Sequence, residues 1–291
     1  MQYALTVKPG TTVKLSNFST DETGDLNKQA GHDLLKPLKD QIRDLQGILY
    51  ASGQNSVLIV LQGMDTSGKD GTVSSVLESV NPLGCRVWPF KTPTPLESAH
   101  DFLWRVHEKV PERGMMTVFN RSHYEDVLIA RVKELVPKAV WSKRYDQINE
   151  FEELLTESGT IILKFFLHIS KDEQKERLMK REEDPVKAWK LSAGDWMERQ
   201  YWNQYQHAYE IALTKCSTKA APWYVIPADH KWYRDLAVAQ QIVDVMEPFK
   251  KKWMSSLEEM GKLQLAEIAE IRAKEKESEL SPQEQKAKKA S

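Results

Sequence analysis

The chain has 291 residues, 41 basic and 42 acidic, for a net charge of −1. That size suits one α/β domain with appendages, and near-neutrality excludes a polycationic nucleic-acid coat or a polybasic membrane binder. No apolar run approaches the ~20 residues of a membrane span, the opening MQYALTVKPG lacks a signal-peptide pattern, and two distant cysteines, Cys85 and Cys216, predict reduced thiols in a cytoplasmic protein.

Residues 1–30 are polar and turn-rich and read as an extended arm. Leu34, Leu35, Leu38, Ile42, Leu45 and Leu49 recur at helical spacing. They predict a helix over 33–50, with Asp33 as its cap and Pro37 in its first turn. The apolar run Val57 to Leu61 predicts a buried strand that stops at Gly63. A small-residue loop follows, then a helix through Val73, Val76, Leu77 and Val80. A turn at 81–84, a strand at 86–90 and a helix near 96–110 come next, and Pro111 to Gly114 breaks that helix. Residues 117–119 form a third strand and 141–158 a long helix stopped by Gly159. The run from Thr160 to Ile169 reads as a strand buried on both faces. Ser170 to Glu173 has capping-box spacing. A charged segment at 180–190, a Trp- and Tyr-rich helix at 195–215, a fifth strand at 223–226 and a closing helix at 232–248 complete the alternation. Strands alternating with helices predict a parallel five-stranded sheet covered on both faces. The Lys/Glu/Ala-rich residues 250–291 read as an exposed helix fraying to disorder after Ser281-Pro282.

Gly63 to Lys69 fits G-x-x-x-x-G-K between a strand and a helix, the setting of a phosphate-binding loop. Glycines let successive N–H groups face one concavity; the helix N-terminus adds partial positive charge and Lys69 a full one. Gly68, Asp70 and Gly71 complete the cradle. Such loops usually place Ser or Thr after the lysine to hold Mg²⁺, but Asp70 stands here and Thr72 comes two residues late. Asp65 is therefore the expected substitute ligand, since Mg²⁺ takes hard oxygen donors.

Sites in parallel sheets gather at the carboxyl ends of the strands. The third strand delivers Asn120, Arg121, Glu125 and Asp126 to that edge. Arg121 is expected to fork onto phosphoryl oxygens. Asp126, ahead of Glu125, is expected to share a metal ion with Asp65. The charged segment predicts a mobile lid whose Arg181, Lys187 and Lys190 close on phosphates and exclude water. His123 is expected to be structural rather than a phosphohistidine nucleophile.

Three stretches, GMDTSGKDG at 63–71, FNRSHYEDV at 119–127 and KREEDPVKAWKLSAGDW at 180–196, together resemble the polyphosphate kinase 2 family, in order over about residues 30–248. The resemblance implies a P-loop kinase core with a helical lid at about 178–195, between an arm (1–30) and a tail (249–291). It implies Mg²⁺- or Mn²⁺-dependent, reversible transfer of the terminal phosphoryl group of inorganic polyphosphate to an adenine or guanine nucleotide. Asp65, Lys69, Arg121 and Asp126 would then be catalytic; Asp65, Asp126 and Glu125 would hold metal; and Gly63, Gly68, Lys69, Asp70, Gly71, Arg121, Arg181, Lys187 and Lys190 would hold phosphates. Many members carry Asp-Arg where this chain has Asn120-Arg121, and the Asn version resembles the subgroup accepting both AMP and ADP. A homo-oligomer, dimer or tetramer, is implied as well, with no nucleic acid or membrane partner. Two alternatives stay open: an ATP-dependent nucleoside monophosphate kinase, and a non-catalytic polyphosphate- or nucleotide-binding regulator.

Overall fold

The computed structural model describes residues 3–186 and 193–279. The first part of the arm is a strand, β1 (Leu5–Val7), and a long helix follows, α1 (Lys28–Ser52). Then come β2 (Ser56–Gln62), α2 (Lys69–Val76), β3 (Cys85–Pro89) and two short helices, α3 (Pro95–Ser98) and α4 (Trp104–His107). The strand β4 (Met116–Asn120) leads through a tight 3-10 turn at His123–Val127 to α5 (Ile129–Val132), α6 (Lys138–Trp141) and α7 (Arg144–Glu157). The last third holds β5 (Thr160–His168), α8 (Lys171–Glu182), α9 (Ala193–Glu198), α10 (Trp202–Cys216), β6 (Trp223–Pro227) and α11 (Lys231–Glu279).

The sheet runs in the order β1-β6-β5-β2-β4-β3. Five strands are parallel, as expected, and β1 adds a sixth, pairing antiparallel to β6 with Leu5 opposite Val225. Part of the expected surface arm is therefore an edge strand. It shields a β6 edge that would otherwise offer unpaired backbone groups.

Side chains alternate across β2, and each face finds its own helices. Val57, Ile59 and Leu61 pack with Leu35, Ile42 and Leu49 of α1 and with Leu236 and Ile242 of α11. Leu58 and Val60 face the other way, onto Tyr145, Ile148 and Phe151 of α7 and Ala208 and Leu213 of α10. Lys164 interrupts the apolar run of β5 yet is fully buried. It donates to Glu152, to the Tyr124 hydroxyl at 2.9 Å and to the Cys216 carbonyl at 2.6 Å.

Several boundaries differ from the sequence reading, each for a local reason. The cap of α1 is Asn27, whose side chain accepts from the Ala30 amide, not Asp33. Pro37 thus lies inside the helix, and Pro248 lies inside α11. Both prolines are exposed, and so are Asp33 and Asp244, so water can reach the carbonyls left without a helical partner. The helix expected at 96–110 is two short ones, because the Asp101 side chain accepts the Leu103 amide and starts a new turn. Ser170 caps α8, but Glu173 turns to Arg177 rather than back to the cap. The helix expected from 195 is interrupted by a 3-10 turn at Arg199–Tyr201. The closing helix does not end at 248; it continues to Glu279, and the expected fraying after Ser281-Pro282 lies outside the described residues.

Candidate active site

At the end of β2 the backbone turns sharply at Gly63 (φ +155°) and Gly68 (φ +104°). A Cβ at Gly63 would stand 2.7 Å from the Leu167 carbonyl oxygen, and one at Gly68 only 1.7 Å from an Arg234 guanidinium nitrogen. Only glycine fits either position. Lys69 opens α2 and folds back over the loop, donating to the carbonyls of Gly63 (2.8 Å) and Met64 (3.2 Å). Its burial, and secondarily the Arg121 charge, lower its pKa to about 8.

The loop is held from beneath by two arginines that sequence reasoning missed. Arg177 donates to the carbonyls of Thr66 (3.0 Å), Ser67 (3.1 Å), Ala228 (2.6 Å) and Asp229 (2.8 Å), with its Nε on Glu173 at 2.6 Å. Arg234 packs under Gly68 and pairs with Asp235 through Nε at 2.8 Å. Burial holds the Arg234 pKa below its ordinary value, with Asp235 opposing that effect.

At the end of β4, Arg121 adopts a left-handed conformation (φ +63°), while its amide still donates to the Leu61 carbonyl. That rare geometry for a non-glycine residue swings the guanidinium across the sheet edge. It donates to Asp65 at 2.6 Å and to Glu125 at 3.2 Å. Glu125, and then Asp65, raise the pKa of Arg121, outweighing its burial. Asn120 donates to Asp70 at 2.8 Å, so the residue in the usual Ser/Thr position is tied to the neighbouring strand end.

The expected pairing of Asp126 with Asp65 does not form. Asp126 accepts from Arg144 at 2.9 Å and lies 4.0 Å from Arg105, and burial raises its pKa. Glu125 is the acid that joins Asp65 on Arg121. His123 is fully buried, with Nε2 3.2 Å from Glu152. It does not line the cavity and has a structural setting.

A cavity of about 540 Å³ opens between these strand ends and α8. Among the described residues, eight basic side chains line it, Lys69, Lys91, Arg121, Arg177, Lys180, Arg181, Lys231 and Arg234, against the acids Asp65, Asp70 and Asp195. A strongly cationic hollow in a chain of net charge −1 suits a polyanion. Gly68, Asp70, Gly71 and Arg181 line it as expected; Lys187 and Lys190 lie outside the described residues. Lys91, Lys180 and Lys231 were missed. Lys231 and Arg234 open the helix after β6, so the rule that sites gather past strand ends could have found them.

A parallel sheet with a glycine-rich loop and a basic cavity past its strand ends defines a phosphotransferase of the P-loop kinase type. The model of one family, Polyphosphate kinase 2, matches residues 25–253. The chain is 51% identical over 243 residues to an AMP/ADP-polyphosphate phosphotransferase of Meiothermus ruber, covering 83% of this chain and 91% of that one. It is 46% identical over 239 residues to an ADP-polyphosphate phosphotransferase of Rhodopseudomonas palustris, covering 78% and 83%. The crystal structure of polyphosphate kinase 2 from Arthrobacter aurescens superposes with a TM-score of 0.80 at 42% identity, covering 86% of this chain and 93% of that one. The chain belongs to the polyphosphate kinase 2 family.

Proposed function

We propose that this protein moves the terminal phosphoryl group of inorganic polyphosphate to AMP or ADP, reversibly and by direct in-line transfer. The observation that carries this reading is the basic cavity lined by Lys69, Arg121 and Asp65, whose Arg121 bridges Asp65 to Glu125 beside it. A phosphate oxygen of the acceptor nucleotide forms a bond to the terminal phosphorus of the chain. The P–O bond to the rest of the chain breaks, and the shortened polyphosphate leaves as an oxyanion. The acceptor oxygen is already ionised near neutral pH, so no general base is required. The barrier is repulsion between two polyanions, which positioned cations lower.

In this reading Lys69 and the α2 N-terminus hold phosphates at the loop. Arg121 stabilises the group in transit, Lys91, Lys180, Arg181 and Lys231 hold polyanion along the cavity, and Lys187 and Lys190 belong to the lid. Arg177 and Arg234 keep the loop in shape. Mg²⁺, or Mn²⁺ in its place, fits Asp65 and Glu125: two oxygen-donor carboxylates face one cationic group, and Mg²⁺ takes few protein ligands beside substrate phosphates. When bound, the ion would screen phosphate charge. Asp126, expected as a ligand, acts in this reading by fixing the turn that presents Glu125. A cytoplasmic homo-oligomer is part of the proposal. Cys85 and Cys216 are free thiols, and among the described residues no helix is long and apolar enough to cross a membrane.

The test is to incubate the pure protein with polyphosphate, Mg²⁺ and either AMP or ADP, without ATP, and to resolve nucleotides by chromatography. ADP and ATP are the expected products. Absence of both, with turnover restored by ATP as donor, would replace this reading by an ATP-dependent nucleoside monophosphate kinase. Tight binding without any product would make the protein a binding regulator.

A further inference from the structure

The last internal anchor of α11 is Trp253, fully buried, with its indole N–H on the Asn55 side chain at 2.9 Å. Beyond it the helix runs on to Glu279, about 39 Å at ~1.5 Å per residue. Along that extension Met254, Met260, Leu263, Leu265, Ile268 and Ile271 are exposed, between 38% and 69%. A helix end without tertiary packing is marginal on propensity alone. At about 100° per residue, all of these except Leu263, together with Leu257, fall in one sector of about 140°. This is an apolar stripe with no partner among the described residues.

We infer that this extension is a self-association surface that pairs with the same segment of a second copy as an antiparallel two-helix coil. The stripe reads nearly the same from either end. Antiparallel pairing about a two-fold axis between residues 262 and 263 layers Met254 on Ile271 and Leu257 on Ile268, brings Gly261 against Gln264 between them, and sets Met260 and Leu265 on the two flanks. A two-fold axis needs such self-complementarity. The charges agree, since this register brings Glu258 of one copy beside Arg272 of the partner subunit, at flanking positions that favour opposite charges. Gly261 supplies an independent observation. A glycine inside a helix costs about 1 kcal/mol relative to alanine, and a Cβ there would meet nothing within 4 Å in this chain. The fold gives no reason for it, whereas a helix crossing at the midpoint does. A lipid surface suits the segment less well, because residues 254–276 carry five acids against four bases, not the Lys/Arg-rich polar face of a membrane-lying helix.

The test uses the full-length protein and light scattering after gel filtration at micromolar concentration. The double substitution Leu265→Glu/Ile268→Glu is expected to halve the molar mass, with phosphotransfer per chain unchanged and the core still folded by circular dichroism. Under mild oxidation Met254→Cys/Ile271→Cys is expected to give a covalent dimer that neither single cysteine gives. A monomeric wild-type protein, an unchanged mass in the double glutamate variant, or dimers cross-linked through either single cysteine would overturn the inference.

Discussion

Arg121 donates to Asp65 at 2.6 Å across the mouth of the phosphate loop, while its other guanidinium nitrogen reaches Glu125 at 3.2 Å. The two carboxylates proposed to hold metal thus neutralise the arginine proposed to stabilise the transferring group. Metal binding and Arg121 release are then coupled. Removing Arg121 takes away the cation that bridges the two acids and leaves their charges less compensated. Arg121→Ala is expected to lose about 10³-fold or more in transfer rate. It should also bind Mn²⁺ more tightly than wild type without substrate, as measured by electron paramagnetic resonance. Weaker Mn²⁺ binding in the variant would break the proposed link.

Glu125 and Asp126 are neighbours with opposite assignments. Glu125→Gln is expected to raise the Mg²⁺ concentration needed for half-maximal activity while leaving the melting temperature close to wild type. Asp126→Asn removes the charge partner of Arg144 and Arg105, and should lower stability by about 1–3 kcal/mol with a near-normal Mg²⁺ requirement. Magnesium titrations and urea melts of both variants test this, and the reverse pattern would restore Asp126 as the ligand.

Lys69 carries the clearest pH signature. Its pKa is lowered to about 8 from 10.5, so the folded protein sheds this proton before the unfolded chain does. Between those values the unfolded state binds more protons, and the cost of burying the charge is relieved as pH rises through that window. Polyanion affinity moves oppositely, because the cation is lost above about pH 8. Polyphosphate binding is expected to take up a proton near pH 8.5, seen by calorimetry in buffers of different ionisation enthalpy. Lys69→Arg should abolish that uptake; uptake that persists in the variant would assign it elsewhere.

The buried Lys164–Glu152 pair ties β5 to α7. Burial alone would raise the Glu152 pKa, but Lys164 and His123 lower it below 4.5. A depressed carboxylate contributes stability that is present above its unfolded pKa and lost as pH falls through its folded one. Glu152→Ala strands a buried ammonium and should cost about 3–5 kcal/mol, whereas Glu152→Leu with Lys164→Met should recover most of that loss. Equal losses in both variants, read from urea unfolding, would argue against an ionic cause.

The loop from Gly63 to Gly71 was legible because its chemistry is local: spacing, glycines and a flanking strand and helix all lie within one short stretch. The parallel sheet was legible for a similar reason, since each strand is an apolar run bounded by turn residues. Arg177 and Arg234 were not, because their roles depend on loop carbonyls more than a hundred residues away in sequence. The choice between Glu125 and Asp126 was equally hidden. Adjacent residues in a tight turn face different directions, and only the positions of Arg144 and Arg105 decide which acid turns inward. The buried Lys164 looked like an interruption of β5 until Glu152 supplied its counter-charge.

The pairing of Leu5 with Val225 has a consequence for biosynthesis. β1 has no partner until residues 223–227 have left the ribosome, so this sheet edge closes only after the other strands have been synthesised. Contacts so distant in sequence slow folding, and the nascent arm waits unpaired throughout. The same late strand leads directly into Lys231 and Arg234. The cation cluster at the phosphate loop is therefore completed in the same stage of synthesis that closes the sheet, and a truncated chain lacks both.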